Sequence, residues 1–300
     1  MEDAIEGWGS VYGQWNGSAG TPAATLSNPF AAFPISAGSK RRMLTQLLCP
    51  FLTSTGKMLP LSLLGGITIE LELGDIGDCF YADTTHAQLW EISQPEILID
   101  TLSVDPSLSN SYASALLSGK SLPISYHNFF SFETSVASST AASIPIQRGF
   151  SRLSAVYITF TRAGQPYNSF FYCPLEMVEP TVANDTFHYS YQLGSQRCPT
   201  YDVRSISESF YRLRKAQLMT DGTDSFGITM ADYCNSKFIA AFSMDKAHGS
   251  GMAHTGANTM GGNMLVLNLY NMGADVSTCH IVCHYDCVLS ITSGGNELAF

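Results

Sequence analysis

Five cysteine and histidine side chains near the end of the chain are the strongest candidates for metal chemistry. Cys279, Cys283 and Cys287 recur at every fourth residue, with His280 and His284 between them. On a helix this spacing would place the thiols on one face, where zinc binds thiolates at about 2.3 Å. The β-branched and aromatic neighbours favour a strand instead, on which Cys279 and Cys283 would lie roughly 13 Å apart. One metal ion cannot bridge that distance, so we predict buried thiols on a core-facing strand and no metal site.

Two other groups of side chains are weaker candidates for catalysis. His248 and His254 flank a glycine-rich loop close to Asp245, and Glu70 and Glu72 lie two residues apart. The loop lacks the spacing of a phosphate-binding loop, and the glutamates fit the polar face of a strand. The sequence also lacks the motifs of serine hydrolases and zinc proteases. We therefore predict that the chain is not an enzyme and has no catalytic residues or cofactors.

The charge balance bears on the partners that the chain can bind. Its 300 residues carry a formal net charge of −10, which argues against sequence-specific recognition of nucleic acid. Lys40, Arg41 and Arg42 form a local basic cluster, which we interpret as a contact patch or a solvated face. Charged residues make up only 13% of the chain, against about 25% in typical soluble domains. Either much of the surface is buried against other subunits, or the core is very large.

The start of the chain and its cysteines indicate where the protein is made. Residues 1–6 are acidic and no apolar run follows them, unlike a signal peptide. No stretch approaches the ~20 apolar residues of a membrane span. We therefore expect synthesis and assembly inside the cell, without secretion through a signal peptide. The eight cysteines are accordingly interpreted as reduced thiols.

Alternating side chains predict a mainly β chain. The clearest alternation is at residues 67–73, where four aliphatic side chains are separated by Thr68, Glu70 and Glu72. Gly65 and Gly66 precede this segment and predict a turn. Further strands are predicted at residues 89–93, 96–104, 122–126, 128–133, 153–161, 187–193, 238–244, 264–270 and 279–291.

Two helices interrupt the predicted strands. Asp105 and Pro106 form an N-terminal helix signal, and Gly119 follows where the helix should end, which predicts a helix at about residues 106–118. A second helix is predicted at about residues 205–219, with Ser207 as its cap.

The order of these segments resembles the double-jelly-roll major capsid proteins of tailless double-stranded DNA viruses, especially the polinton-like type. The segments that carry the likeness are residues 58–61 (MLPL), 67–73 (ITIELEL), 150–160 (FSRLSAVYITF), 198–205 (CPTYDVRS), 210–215 (FYRLRK) and 285–291 (YDCVLSI). They extend over most of the chain beyond residue 40. They are patterns of packing and turns, not of catalysis.

The resemblance implies two antiparallel jelly-roll β-sandwiches in tandem, each with a short helix. We accordingly divide the chain into an extended N-terminal arm at residues 1–39, a first jelly roll at 40–175 and a second at 176–300. The arm is rich in small residues but contains Trp8 and Trp15, which we expect to anchor it under or between neighbouring subunits. A partly ordered terminus is the alternative.

The implied function is that of a structural major capsid protein in the virion. Members of this family form homotrimers that act as pseudo-hexagonal capsomers and tile an icosahedral shell. The expected partners are therefore other copies of the chain, neighbouring capsomers, and vertex and minor capsid proteins. Whether an internal membrane lies beneath the shell is left open.

Two other interpretations remain at this point. A single-jelly-roll coat or vertex protein would have about eight strands instead of sixteen. A glycan-binding β-sandwich would use exposed aromatic side chains such as Tyr167, Phe170 and Tyr172 as a platform, and would act as a monomer.

Overall fold

The fold is known from a computed structural model, in which nine strands and five helices can be described. The described residues are 49–53, 58–73, 89–136, 141–162, 172–175, 186–217, 228–235, 237–245, 256–272 and 276–299. Within them the helices are α1 (Pro50–Thr53), α2 (Leu61–Leu64), α3 (Pro106–Leu117), α4 (Ile206–Ala216) and α5 (Met230–Asn235). The strands are β1 (Leu122–Ser135), β2 (Ala141–Pro145), β3 (Leu153–Arg162), β4 (His188–Leu193), β5 (Gln196–Val203), β6 (Ala240–Ser243), β7 (Leu265–Tyr270), β8 (Val276–Thr292) and β9 (Gly295–Ala299).

The strands form two antiparallel sheets with the connectivity of a jelly roll. The first sheet has the order β1-β8-β3-β6, with β9 pairing with the end of β8, and the second has the order β2-β7-β4-β5. Apart from the β4-β5 hairpin, the chain from β1 to β8 changes sheet at every step. Eight strands distributed in this way over two sheets are the jelly-roll arrangement found in viral capsid and lectin domains. The predicted mainly β fold is thus confirmed.

The two sheets draw strands from both predicted jelly rolls. β1, β2 and β3 come before residue 175, and each of them pairs with a strand that comes after residue 175. For example, β1 pairs with β8 from Leu122↔Ile291 to Ser135↔Thr278. Within the described residues, the ranges 40–175 and 176–300 therefore do not form two separate sandwiches. Their strands combine into one sandwich. The order of strand segments along a sequence does not reveal which strands pair, so this arrangement could not be predicted.

Both predicted long helices are present, and their caps explain where they begin. The Asp105 side chain accepts a hydrogen bond of 2.7 Å from the backbone N–H of Ser107 at the start of α3. Ser205 caps α4 by accepting a bond of 3.2 Å from the N–H of Glu208, so the prediction of Ser207 as the cap is wrong. A cap must precede the first helical turn to reach its free N–H groups, and Ser207 already lies inside α4.

The predicted strands before residue 105 are not formed. Residues 67–73 and 89–104 belong to no strand and pair with no described strand. The turn before them is present, since Gly65 and Gly66 have φ angles of 72° and 110°. Alternation shows that a segment can form a strand, but a strand requires a neighbour with which to exchange hydrogen bonds.

The hydrophobic core lies between the two sheets and continues beneath α4. Its largest fully buried side chains include Phe150, Phe160, Tyr189, Tyr233, Phe238 and Phe242. β3 is buried along residues 153–160. The end of α4 is tied to this strand, because Gln217 Nε2 donates a bond of 2.7 Å to the Tyr157 hydroxyl, which donates one of 3.3 Å to the Ala216 carbonyl. The side of the first sheet near β6 is therefore covered.

Candidate assembly surfaces

The predicted row of buried thiols is present on β8. Cys279, Cys283 and Cys287 are all buried in the core cluster, together with the alternate residues between them. Burial raises the pKa of the Cys279 and Cys283 thiols to about 12, so both are protonated at neutral pH. Apolar surroundings keep such thiols unreactive. The prediction of core-facing cysteines on a strand is confirmed.

The opposite row of β8 faces outward and lies beside the outward row of β1. We call the residues of these two rows the histidine strip: His127, Phe129 and Glu133 of β1, with His280, Val282, His284 and Asp286 of β8. Antiparallel pairing places His127 opposite Asp286, Phe129 opposite His284, and Glu133 opposite His280. The strip is thus positioned by the register of two strands that are far apart in the sequence.

His127 and Asp286 form the closest charged pair of the histidine strip. His127 Nδ1 lies 2.7 Å from Asp286 Oδ1, and the Ser154 hydroxyl donates to the same oxygen at 3.5 Å. The bond to Asp286 raises the pKa of His127 despite its partial burial, and the charge of Asp245 contributes in the same direction. Asp286 is largely buried whereas His127 is about half exposed. A proton on His127 therefore stabilises a carboxylate that has lost most of its solvent.

His284 lies beside this pair but has the opposite acid–base behaviour. Its ring stacks on Phe129 with centroids 4.9 Å apart and lies equally close to the His127 ring. Burial lowers the pKa of His284 to about 4, and the neighbouring His127 adds to this shift. His284 is therefore neutral where His127 is charged. Further along the strip, His280 Nδ1 lies 3.4 Å from Glu133 Oε2 in a more exposed pair.

The side of β1 that faces away from β8 is an unpaired sheet edge within the described residues. β1 is the outermost strand of the first sheet and is 14 residues long. Its core-facing residues Asn128, Phe130 and Phe132 are only half-buried. At one end of this row, α1 packs Phe51 against Tyr126 with ring centroids 5.1 Å apart. We call this side of β1 the free edge; an unpaired edge is a template for another strand.

Large apolar side chains are exposed in both described parts of the region before α3, residues 58–73 and 89–104. In the alternating segment, Ile67, Ile69, Leu71 and Leu73 are 40%, 43%, 66% and 48% exposed. The other exposed aliphatic residues of this region are Met58, Leu61, Leu89, Ile92, Ile97, Leu98, Ile99, Leu102 and Val104. Single exposed apolar residues are ordinary, but a contiguous concentration of them marks an interaction surface.

Most of the site residues predicted from the sequence lie outside the described residues. These are Trp8 and Trp15 of the arm, the basic patch Lys40, Arg41 and Arg42, the loop histidines His248 and His254, and the aromatic residues Tyr167 and Phe170. Glu70 and Glu72 are described and exposed, but they lie on a segment that forms no strand. The histidine strip was missed, because its pairs are formed between strands.

Among the described residues, no group of three or more His, Cys, Asp or Glu side chains is arranged to hold a metal ion. None of the helices described is long and apolar enough to cross a membrane.

Comparisons with known proteins give similarities at the level of structure only. No protein-family model matches the sequence, and a search of curated proteins finds no match. A structure described as PBCV-1 VP54 fitted into a reconstruction of the virophage Sputnik is 11% identical, with a TM-score of 0.42 over 66% of this chain and 55% of that chain. The Faustovirus major capsid protein is 10% identical, with a TM-score of 0.39 over 63% of this chain and 36% of that chain. This chain thus spans about half or less of the length of these structures.

Proposed function

We propose that the protein is a structural subunit of a viral capsid, and that it acts by burying surface against other subunits instead of by catalysis. The observation that carries the proposal is the exposed apolar surface of residues 58–73 and 89–104, in a chain whose jelly roll has a free edge within the described residues. Jelly rolls are widely used in viral capsids, and exposed apolar patches mark protein interfaces. A charged fraction of 13% agrees with a surface that is largely covered after assembly.

The more specific form of the proposal is a major capsid protein of the polinton-like type. Three copies would form a pseudo-hexagonal capsomer, and capsomers would tile an icosahedral virion shell together with vertex and minor capsid proteins. Residues 1–39 would act as an arm between neighbours, with Trp8 and Trp15 as anchors and Lys40, Arg41 and Arg42 as a contact patch. This more specific proposal is supported by the order of sequence segments in which the chain resembles that family.

A single-jelly-roll coat or vertex protein is the second candidate. The observation that favours it is the strand count, because the described strands make one eight-stranded jelly roll with β9 added to β8. The two candidates share the same burial mechanism. They differ in how many sandwiches each subunit contributes.

Negative-stain imaging of the purified protein tests the capsid proposal. We expect ring-shaped or hexagonal oligomers, or closed shells, whose number increases with protein concentration. Particles that remain the size of one chain at all concentrations, across a range of salt and pH, would reject it.

Deleting residues 1–39 tests the arm separately. We expect the truncated chain to form oligomers but fewer closed shells, because the anchors between oligomers are lost while the sandwich is kept. Counting shells by imaging at matched protein concentration gives the comparison. Undiminished shell formation by the truncated chain would show that the arm does not join subunits.

A further inference from the structure

We propose that residues 67–73 of one copy, here called the donor segment, add as a strand to the free edge of β1 in a second copy. The inference rests on the proposed function only in requiring that copies of the chain associate. It assigns a donor and an acceptor to that association.

Beyond the contact of α1 with Tyr126, the acceptor is a long edge that no other described segment is seen to cover. Natural proteins block free edges with lysine, proline, bulges or covering segments. β1 contains no lysine or arginine, and its proline, Pro123, lies next to its first residue. From Asn128 to Phe132 the core-facing side chains are half-buried, since no described strand lies beyond them. A further strand would complete their burial.

The donor has the side-chain pattern that this edge requires. When the segment is extended as a strand, its alternating sequence puts all the aliphatic residues on one face and Thr68, Glu70 and Glu72 on the other. All four aliphatic side chains are at least 40% exposed, and the segment pairs with no described strand. Burial of aliphatic side chains is favourable in proportion to the apolar area removed from water, so this segment gains from a partner.

One antiparallel register matches both faces of the two strands. It places Ile67 opposite Phe132 and Ile69 opposite Phe130 on the core side, where pairs of β-branched and aromatic residues are favourable. On the outward side it places Glu72 opposite His127 and Thr68 opposite Ser131. Both glutamates are then kept away from Glu133. A shift by one residue would turn the aliphatic side chains outward.

A second copy fits this role because donor and acceptor are different surfaces of the same chain. Within one chain the donor segment is described and is not paired with β1. A contact between unlike surfaces is heterologous, and when its rotation closes it produces rings of identical subunits. Each copy would then give one strand and receive one.

Mixing two variants that each carry one added cysteine beside the eight native ones tests the pairing between copies. We expect Thr68→Cys protein mixed with Ser131→Cys protein, each carrying a tag of different size, to form a disulfide-linked dimer containing one of each under mild oxidation. The matched control replaces Ser131→Cys by Ser125→Cys, on the same face of β1 but roughly 20 Å away. The yield of mixed dimer should be at least fivefold higher for the first mixture than for the control or for wild-type protein.

Equal yields in all three mixtures would overturn the proposal. So would a Thr68→Cys/Ser131→Cys double variant that forms its disulfide within a single monomeric chain. A second measurement compares Ile69→Asn with Leu117→Asn, which also changes an exposed aliphatic side chain but lies on α3, outside residues 58–104. Sedimentation should show about tenfold weaker self-association for Ile69→Asn and less than a twofold change for Leu117→Asn; equal effects would contradict the assignment. Shells that persist when the cross-link fails would leave the capsid proposal intact.

Discussion

Neighbouring residues of β8 have opposite environments, and this alternation separates its thiols from its histidines. Cys279 and Cys283 point into the core, while His280 and His284 point to the outer face of the first sheet. The four-residue spacing of the cysteines was enough to predict their row, because an even spacing on a strand keeps side chains on one face. The partners of the histidines could not be predicted this way. His127 and Asp286 are 159 residues apart in the sequence and meet only through the pairing of β1 with β8.

The low pKa of His284 predicts that stability decreases as the pH falls. The folded protein keeps His284 neutral down to a pKa of about 4, whereas the unfolded chain binds the proton near pH 6.5. Between these values the unfolded state binds more protons, so the free energy of unfolding falls by about 2 kcal/mol between pH 7 and pH 5. The raised pKa of His127 has the opposite effect on stability. The stabilisation from its protonated form is complete at low pH and is lost as the pH rises through the pKa of His127 in the folded protein.

Replacing His284 isolates its contribution. The free energy of unfolding is measured in urea at pH 7 and at pH 5 for the wild type and for His284→Gln. Its decrease between the two pH values should be about 2 kcal/mol smaller in His284→Gln than in the wild type. His280→Gln, at a more exposed position on the same face, is the control and should follow the wild-type profile more closely. An unchanged pH dependence in His284→Gln would contradict the buried neutral state of this histidine.

A buried hydroxyl network predicts a second effect at the residue scale. The Ser209 hydroxyl lies 2.6 Å from the Tyr189 hydroxyl and 2.7 Å from that of Tyr233, with all three residues fully buried. Ser209→Ala leaves the Tyr189 hydroxyl short of a partner and should lower the free energy of unfolding by about 1–3 kcal/mol. Ser111→Ala, on the exposed side of α3, should change it by less than about 0.5 kcal/mol. Equal losses in denaturant unfolding would contradict the network.

At the scale of elements, helices were predicted better than edge strands. α3 and α4 are determined by local signals: a capping side chain, a proline or acidic first turn, and a residue that ends the helix. β3, β4, β6, β7 and β8 were predicted from their local patterns, and β1 is longer than expected because two predicted strands join, whereas β2, β5 and β9 were not predicted. Residues 67–73 have the same kind of pattern without becoming a strand. Residues 67–73 lack a neighbouring described strand with which to pair, and an alternating sequence does not show whether such a neighbour exists.

The cap of α4 gives a matched pair of serines for a stability test. Ser205→Ala removes the acceptor for the N–H of Glu208 and should cost about 1 kcal/mol of unfolding free energy. Ser207→Ala, two residues further on and exposed, should cost less than about 0.5 kcal/mol. Thermal and urea unfolding of the two variants would measure the difference. A larger loss for Ser207→Ala would indicate that the helix begins later than described.

At the scale of the whole molecule, the order in which strands pair could not be predicted from the sequence. The sandwich joins the first strand to the eighth and the second to the seventh, which are the most distant partners available. Strand patterns indicate how many strands exist, but pairing across 150 residues depends on how both sheets close over a common core. The described pairing therefore crosses the predicted boundary between residues 40–175 and 176–300.

Exposed apolar surface connects this fold to its proposed role. The described residues 58–73 and 89–104 belong to no strand of the sandwich and leave thirteen large apolar side chains exposed. An isolated monomer gains nothing from such a surface, whereas a subunit in an assembly does. We therefore expect the whole molecule to self-associate.

The molar mass in solution tests self-association most directly. Light scattering on the purified chain, over a range of concentrations, should give a mass of about three times the 32.5 kDa of one chain, or larger closed particles. Salt should strengthen the association or leave it unchanged, because the proposed contact is mainly apolar. A mass of one chain at every concentration, salt and pH would contradict the account.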